Sequence, residues 1–440
     1  MPLTLILGPA NAGKAAAVLR ECALASRREA VLVLPSTADV RHYERELSAG
    51  GVTLTATVTF SGLLEEIARR AGYRRPRLTP RQRGMLVRRA IARARLQTLA
   101  QAASGPGFQA AAGRLLAELA QARVEPQRFA SALASWAGGA GERSAYAREL
   151  SAIHRRYREE LERSGRVDDE MFAWGALDAL RERPYSWGDT PVYVYGFDDL
   201  TPIQLDALET LARRVGAGVT VSLTYEPGRA ALAAGATVAE ELRAIADQVR
   251  ELPASDEHYA PHARRCLHHL ERWLFEPDGW VREPGEAVGL MEASGELAEG
   301  ELVAAAVLDA LAAGARAEEV VVVCRSLERS GELLELALER LGIRALSSRR
   351  VALTRTALGR ALLALVRYAL GPASERRLED LIAFLRHPGV AGAPANVDEL
   401  ERRVRRQGAR AEVALRGAAP ELRAALGWVD ELRLADDRPA

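Results

Sequence analysis

The sequence predicts an α/β protein of two α/β domains, each interrupted by a helical insertion. Three observations predict this. The first 75 residues alternate short apolar runs with helical segments. The apolar runs vanish between Thr79 and about Glu182 and resume at Val192, and a second block of the same kind begins near Ala287. Apolar runs that do not alternate with polar residues, joined by helices, mark parallel strands buried on both faces. A chain of 440 residues has room for about two to four domains. With 48% hydrophobic and 27% charged residues it has ample core material.

In chain order, Leu3–Leu7 reads as the first strand, followed by a glycine turn and a helix from about Lys14. Ala30–Leu34 is the second strand, with a helix over Ala38–Leu47, and Val52–Val58 is the third, with a helix over Ser61–Ala71. Residues 76–182 are rich in alanine and arginine, carry helical periodicity and are punctuated by Gly105-Pro106-Gly107 and Gly138-Gly139, which makes them a helical insertion. Val192–Tyr195, a helix over Pro202–Arg214 and Val219–Thr224 return to the α/β pattern. Residues 1–75 and 183–286 are therefore expected to form the first domain. Residues 287–373 are expected to begin a second, with strands at Ala287–Met291 and Val320–Cys324 and helices at Leu297–Leu311 and Ser330–Leu341. Residues 374–440 read as the start of a second helical insertion that the chain truncates.

Several classes fall away at once. No window approaches 18 uninterrupted apolar residues, so no membrane span or membrane partner is expected. The N-terminus lacks the basic stretch and cleavage site of a secretory signal. Cys22, Cys266 and Cys324 are too scattered for a disulfide framework or a zinc pattern. A cytoplasmic location is expected. His258 and His262 have the spacing of a helical zinc pair, but Pro261 lies between them, and Leu267, Leu270, Trp273 and Leu274 favour an ordinary amphipathic helix.

The net charge of +1 conceals an uneven distribution. From Ile67 to Ala117 there is no acidic residue, yet Arg69, Arg70, Arg74, Arg75, Arg77, Arg81, Arg83 and five further arginines fall in that stretch. Such a block is the footprint of a polyanion contact, since arginine forks onto phosphate oxygens. A solvated helical face in an arginine-biased chain is the competing reading.

The chain holds a single lysine, Lys14. It closes Gly8-Pro-Ala-Asn-Ala-Gly13-Lys14, the spacing of a phosphate-binding loop, between a strand and a helix. In such a loop backbone N–H groups cradle phosphates, the lysine reaches the terminal ones and the next residue supplies a hydroxyl to Mg²⁺. Here that residue is Ala15. Either Lys14 still holds an anion or nucleotide, or it is a solvated charge beside a turn.

The acidic half of such a site belongs at the end of a later strand. The segment found there, Tyr195-Gly-Phe-Asp-Asp-Leu-Thr-Pro-Ile-Gln204, resembles the second motif of UvrD-like superfamily 1 helicases, Asp-Glu-Phe-Gln-Asp-Thr. It is closer to the Gly-Phe…Thr-Pro-x-Gln signature of the AddB/RexB group, the B subunit of ATP-dependent helicase/deoxyribonuclease among the PD-(D/E)XK nuclease family proteins. Val58-Thr59-Phe60-Ser61, Tyr157-Arg-Glu-Glu-Leu161, Gly165-Arg-Val-Asp168-Asp169, Val321-Val-Val-Cys324-Arg325 and Leu378…Phe384-Leu-Arg-His-Pro388 resemble further segments of that group, in order.

The resemblance implies two RecA-like P-loop domains of the superfamily 1 helicase kind. It implies a degenerate nucleotide site at Gly8, Gly13, Lys14 and Arg325. It implies contact with single-stranded DNA or duplex ends, for which Thr59, Arg69, Arg70, Arg74, Arg75, Arg77, Arg81 and Arg83 are the candidates, and an AddA-like helicase–nuclease partner subunit. Weak or vestigial ATP binding is the only cofactor expectation.

The departures bear on activity. Aligned on Phe197 and Gln204, Tyr195 replaces the metal-binding Asp and Gly196 the catalytic Glu, and no γ-phosphate-sensing Gln follows Val219–Thr224. With Ala15 as well, no catalytic residue is assigned and no ATPase activity is expected, since electrostatic stabilisation of transferring phosphate needs those groups. Asp198 or Asp199 acting in a shifted register would rescue an active helicase, the alternative reading. A structural adaptor that touches only protein is a third. The family's nuclease domain and iron–sulfur cysteines are expected beyond residue 440.

Overall fold

The computed structural model describes residues 3–25, 29–51, 56–139, 141–372, 377–391, 397–399, 401–402, 406 and 427–434. Its one sheet is built from β1 (Leu3–Gly8), β2 (Val31–Leu34), β3 (Ala56–Thr59), β4 (Val192–Phe197), β5 (Val219–Thr224) and β6 (Gln248–Glu251). All neighbours pair in parallel, in the order β3-β2-β4-β5-β1-β6. The α/β expectation therefore holds for residues 3–289, the first of two compact units. The third strand starts at Ala56, and residues 52–55 lie outside the described residues.

Both faces of the sheet are covered, as its apolar runs demand. Leu3, Leu5, Leu7, Val31 and Val33 point to one face, into a core completed by α3 (Phe60–Ala71), α9 (Asp169–Glu182) and α10 (Pro202–Glu209). The alternate residues Ile6, Leu32 and Leu34 point to the other, against α1 (Lys14–Ala25) and α2 (Thr37–Ala49). Between α3 and α9 the chain forms α4 (Pro80–Arg93), α5 (Ala100–Ala103), α6 (Pro106–Gln121), α7 (Pro126–Ala137) and α8 (Glu142–Ser164). These carry their own core of Leu86, Val87, Ala90, Leu116, Ile153, Tyr157 and Leu161. A short parallel bridge ties the two ends of the insertion: Leu78 N–H donates to Val167 O at 2.9 Å and Val167 N–H to Pro76 O at 3.1 Å.

Local chemistry sets the helix starts. Thr79-Pro80-Arg81-Gln82 and Thr201-Pro202-Ile203-Gln204 each place threonine at the N-cap, proline at the first helical position and glutamine at the third. Gln82 and Gln204 fold back to accept the cap residue's N–H at 3.0 and 2.8 Å. The first unit ends with a π-helical turn (Thr210–Val215), α11 (Ala236–Ile245) and α12 (Arg264–Trp273).

The regular elements of the second unit, from residue 290, are helices among the described residues: α13 (Glu296–Ala312), α14 (Leu327–Arg340), α15 (Ala357–Leu370), α16 (Leu378–Leu385) and α17 (Pro388–Ala391). Here the sequence expectation fails. Neither Ala287–Met291 nor Val320–Cys324 forms a strand. A strand exists through a neighbour's hydrogen bonds. Val320–Cys324 has no such neighbour among the described residues, and Val321 and Val323 stand 76% and 87% exposed. The sequence also suggests a solvated helical face at Arg402, Arg403, Arg405 and Arg406, of which Arg403 and Arg405 lie outside the described residues.

One buried base in the insertion makes its stability depend on pH. His154, on α8, is 4% exposed and packs edge-on to Phe129 at 5.6 Å, with Nδ1 lacking a hydrogen-bond partner. Burial first, then the neighbouring Arg158, lowers its pKa from 6.5 to about 4. The unfolded chain therefore binds the extra proton between those values, and stability that is fully present above pH 6.5 is lost as pH falls toward 4. Denaturant titrations across that range should show a steeper loss in the wild type than in His154→Leu. Equal slopes would contradict this assignment.

Candidate functional site

The C-terminal ends of the parallel strands carry every feature of the expected nucleotide site in the first unit. The loop leaves β1 at Gly8 and enters α1 at Lys14. Two of its residues are in the left-handed region, Gly13 at φ 78° and Asn11 at φ 55°. Gly8 is required by space: a Cβ there would sit 2.9 Å from Leu252 O and 3.1 Å from the Ala12 Cβ.

Lys14 does not extend into solvent. It is 8% exposed, and its Nζ donates to Gly8 O at 3.0 Å and to Pro9 O, carbonyls of its own loop. Gly8 O also accepts the Tyr225 N–H at 3.1 Å. Burial lowers the lysine pKa, opposed by the charges of Glu271 and Asp198. The solvated-charge reading of Lys14 is therefore corrected: the side chain is folded back and satisfied internally.

The end of β4 departs from a metal site. The ladder shifts register between Val194 and Phe197, and Gly196 takes φ 86° at a point where a Cβ would come within 3.3 Å of the Pro35 ring. Tyr195 packs edge-on to Tyr43 at 5.8 Å, and burial together with the Tyr195 hydroxyl pushes the Tyr43 phenol up. Asp199 Oδ1 accepts the Leu200 N–H at 2.8 Å, and Gln204 is used by the Thr201 cap. Among the described residues no group of three His, Cys, Asp or Glu side chains is arranged to hold a metal. His258 and His262 both precede α12, so they share no helical face.

Thr59 caps α3, its Oγ1 accepting the Gly62 N–H at 3.4 Å. It lines an open cleft of about 490 Å³ with Pro35, Arg77, Asp169, Phe197 and Gln204, between the strand ends and the first turn of α9. Arg325 belongs to the second unit, exposed, just before α14.

The arginine block divides in two. Glu66 takes both Arg69, at 2.5 Å, and Arg70, at 2.6 Å, and the Arg69 bond first among these holds its carboxyl down at about 2. Arg70 also donates to Trp187 O and Thr190 Oγ1 and lies over the Trp187 ring at 4.4 Å. Arg77 pairs with Glu65 and covers Phe172, while Arg83 pairs with Glu170 and Arg93 with Glu160. By contrast Arg74, Arg75, Arg81, Arg89, Arg95 and Arg114 are exposed and make no ion pair or side-chain hydrogen bond among the described residues. Glu65 and Glu66, which take Arg69, Arg70 and Arg77, directly precede the block, whereas nothing in the sequence signalled Glu170 and Glu160, which take Arg83 and Arg93 from far along the chain. The sequence also missed Glu271, which meets the loop at Asn11, and Glu226 and Arg229, which hold the helix that carries it; none of the three matches a motif.

The tight fit at Gly8 gives a direct test. Gly8→Ala should destabilise the chain by about 1–3 kcal/mol, because a backbone carbonyl cannot swing aside. Gly113→Ala, inside α6 with nothing within 4 Å of the added carbon, should be neutral or stabilising by up to about 1 kcal/mol. Thermal unfolding of both variants checks the contrast, and equal behaviour would refute the packing at Gly8.

No curated protein matches the chain. Residues 5–261 match the family model described as ADDB, N-terminal, which spans β1 to β6 and more than half of the sequence. The chain belongs to the AddB N-terminal family.

Proposed function

We propose that this chain is the DNA-binding, ATPase-inactive member of a helicase–nuclease complex that processes double-strand-break ends for recombinational repair. It works in the cytoplasm beside a catalytically competent AddA-like helicase–nuclease subunit. Its scaffold is that of a superfamily 1 helicase, with the first unit as a RecA-like domain and the loop Gly8–Lys14 as a degenerate phosphate loop. Absence of a membrane-crossing helix among the described residues accords with this placement.

One observation carries the ATPase-inactive part. Where a motor positions Mg²⁺ and the attacking water, this chain places Ala15, Tyr195 and Gly196, and Lys14 bonds to its own loop. Without a ligated metal or an oriented water, phosphoryl transfer loses the electrostatic stabilisation that drives it. The DNA-binding part rests on Arg74, Arg75, Arg81 and Arg89, exposed cations on the short stretch of sequence that also carries Arg77, which lines the cleft with Thr59. Arg70, Arg77 and Arg83 on the same stretch are held in ion pairs with Glu66, Glu65 and Glu170.

Fluorescence anisotropy with a labelled single-stranded oligonucleotide tests the reading. The chain should bind tightly at about 50 mM salt and weaken steeply by about 200 mM. Replacing Arg74, Arg75, Arg81 and Arg89 by alanine should reduce the salt slope by about 3, at roughly 0.7 per lost phosphate contact. No binding at low salt would refute the DNA assignment. DNA-stimulated ATP hydrolysis that disappears in Lys14→Ala would refute the inactive motor.

A further inference from the structure

The loop is covered by a segment of the same chain that lies mostly beyond the family match. After β6, Leu252 N–H donates to Leu7 O at 2.8 Å, and the chain continues past the loop into α12. That helix is clamped by the residues that follow β5. Glu226 receives both Arg272 nitrogens, at 2.6 and 2.8 Å. Arg229 donates to Glu271 O at 3.0 Å and to Glu276 at 2.7 Å, and Glu276 in turn accepts the Ala230 N–H at 3.0 Å. This is the place where a motor carries its γ-phosphate sensor, and here it anchors a helix instead.

From the clamped helix Glu271 reaches the loop. Its side chain is 8% exposed. Oε2 accepts from Asn11 Nδ2 at 2.8 Å and from the Tyr259 hydroxyl at 2.7 Å, with His258 Nε2 at 3.6 Å. Oε1 is buried with no hydrogen-bond partner. The carboxylate thus meets the loop at Asn11, one of its two left-handed residues, and adds negative charge beside the buried Lys14. An anion held at the mouth of an anion-binding loop disfavours a second anion there.

We propose that Glu271 is the loop's built-in anion: the strap from Leu252 to Glu276 closes the phosphate site, and polyphosphates, whether nucleoside triphosphate or free pyrophosphate, enter only when it lifts. This goes beyond the lack of hydrolysis, because it concerns binding itself and holds whether or not the chain contacts DNA.

Titration of the full chain with ATP and with pyrophosphate, followed by calorimetry, tests it. Wild type should show no saturable binding at millimolar ligand. Glu271→Ala should bind both at least about tenfold more tightly, since a like charge beside the phosphates is gone. Adding Lys14→Ala to that variant should abolish the gain. Binding of ATP alone would assign the gain to the nucleoside and contradict a phosphate site. A wild type that binds as tightly as Glu271→Ala, or a folded Glu271→Ala that gains nothing, would overturn the proposal. Should Glu271→Ala not fold, Asn11→Gly and Tyr259→Phe each remove one bond to the same carboxylate. A smaller gain in both supports the strap, and no gain in either overturns it. Oligonucleotide affinity should stay at the wild-type level in all of them, which separates this test from that of the DNA surface.

Discussion

The burial of β1 between β5 and β6 is the constraint on which the rest of the first unit depends. Its leucines and isoleucine are fully enclosed by helices on both faces, so the strand has one possible register, set residue by residue against Val219–Thr224 and Gln248–Glu251. That register delivers Gly8 to the sheet's C-terminal edge with no room for a side chain. It also brings Tyr225 and Leu252, the first residues after the two flanking strands, into backbone contact with Gly8 and Leu7. The loop, the clamp after β5 and the strap after β6 are consequences of three strands ending together.

Charge compensation is the second theme. In the loop Gly8–Lys14 the lysine is satisfied by carbonyls of its own backbone and the Asn11 side-chain amide by the Glu271 carboxylate. The arginine block shows the same economy. Arg69, Arg70, Arg77, Arg83 and Arg93 pair with acids of α3, α8 and α9, Arg70 and Arg77 also lying over Trp187 and Phe172, while Arg74, Arg75, Arg81, Arg89, Arg95 and Arg114 are exposed without such a partner among the described residues. Buried ion pairs of this kind are poor evidence of added stability, but removing one partner leaves a costly unpaired charge. Arg70 and Glu66 are thus tied into the fold by each other and by the Trp187 carbonyl and Thr190 hydroxyl.

What was legible in the sequence follows from these facts. β1, β2, β4 and β5 could be read because burial on both faces writes itself as an uninterrupted apolar run. β6 could not, because Gln248-Val-Arg-Glu251 is an edge strand with polar, exposed side chains. The error at Val320–Cys324 is the converse: an apolar run states that a segment wants burial, not that a partner strand is there. At the site, Gly8, Gly13, Lys14 and the Ala15, Tyr195 and Gly196 replacements were readable because each sits at a fixed spacing. Glu271 was not, since its role depends on a contact 260 residues away in sequence with Asn11. The Thr-Pro-x-Gln phrase at Thr201 was read as a family mark, and its physical content is a helix cap that it shares with Thr79-Pro80-Arg81-Gln82.

Hydrogen–deuterium exchange on the full chain, with and without saturating Mg-ATP, tests most directly whether the phosphate loop is closed by the protein's own groups. The peptides to follow cover residues 8–17 and 258–273. A loop already occupied by Glu271 and folded onto Lys14 should exchange at the same slow rate in both conditions, as should the strap. Protection of residues 8–17 when ATP is added, with faster exchange in residues 258–273, would show a loop that takes phosphate readily and would contradict the account.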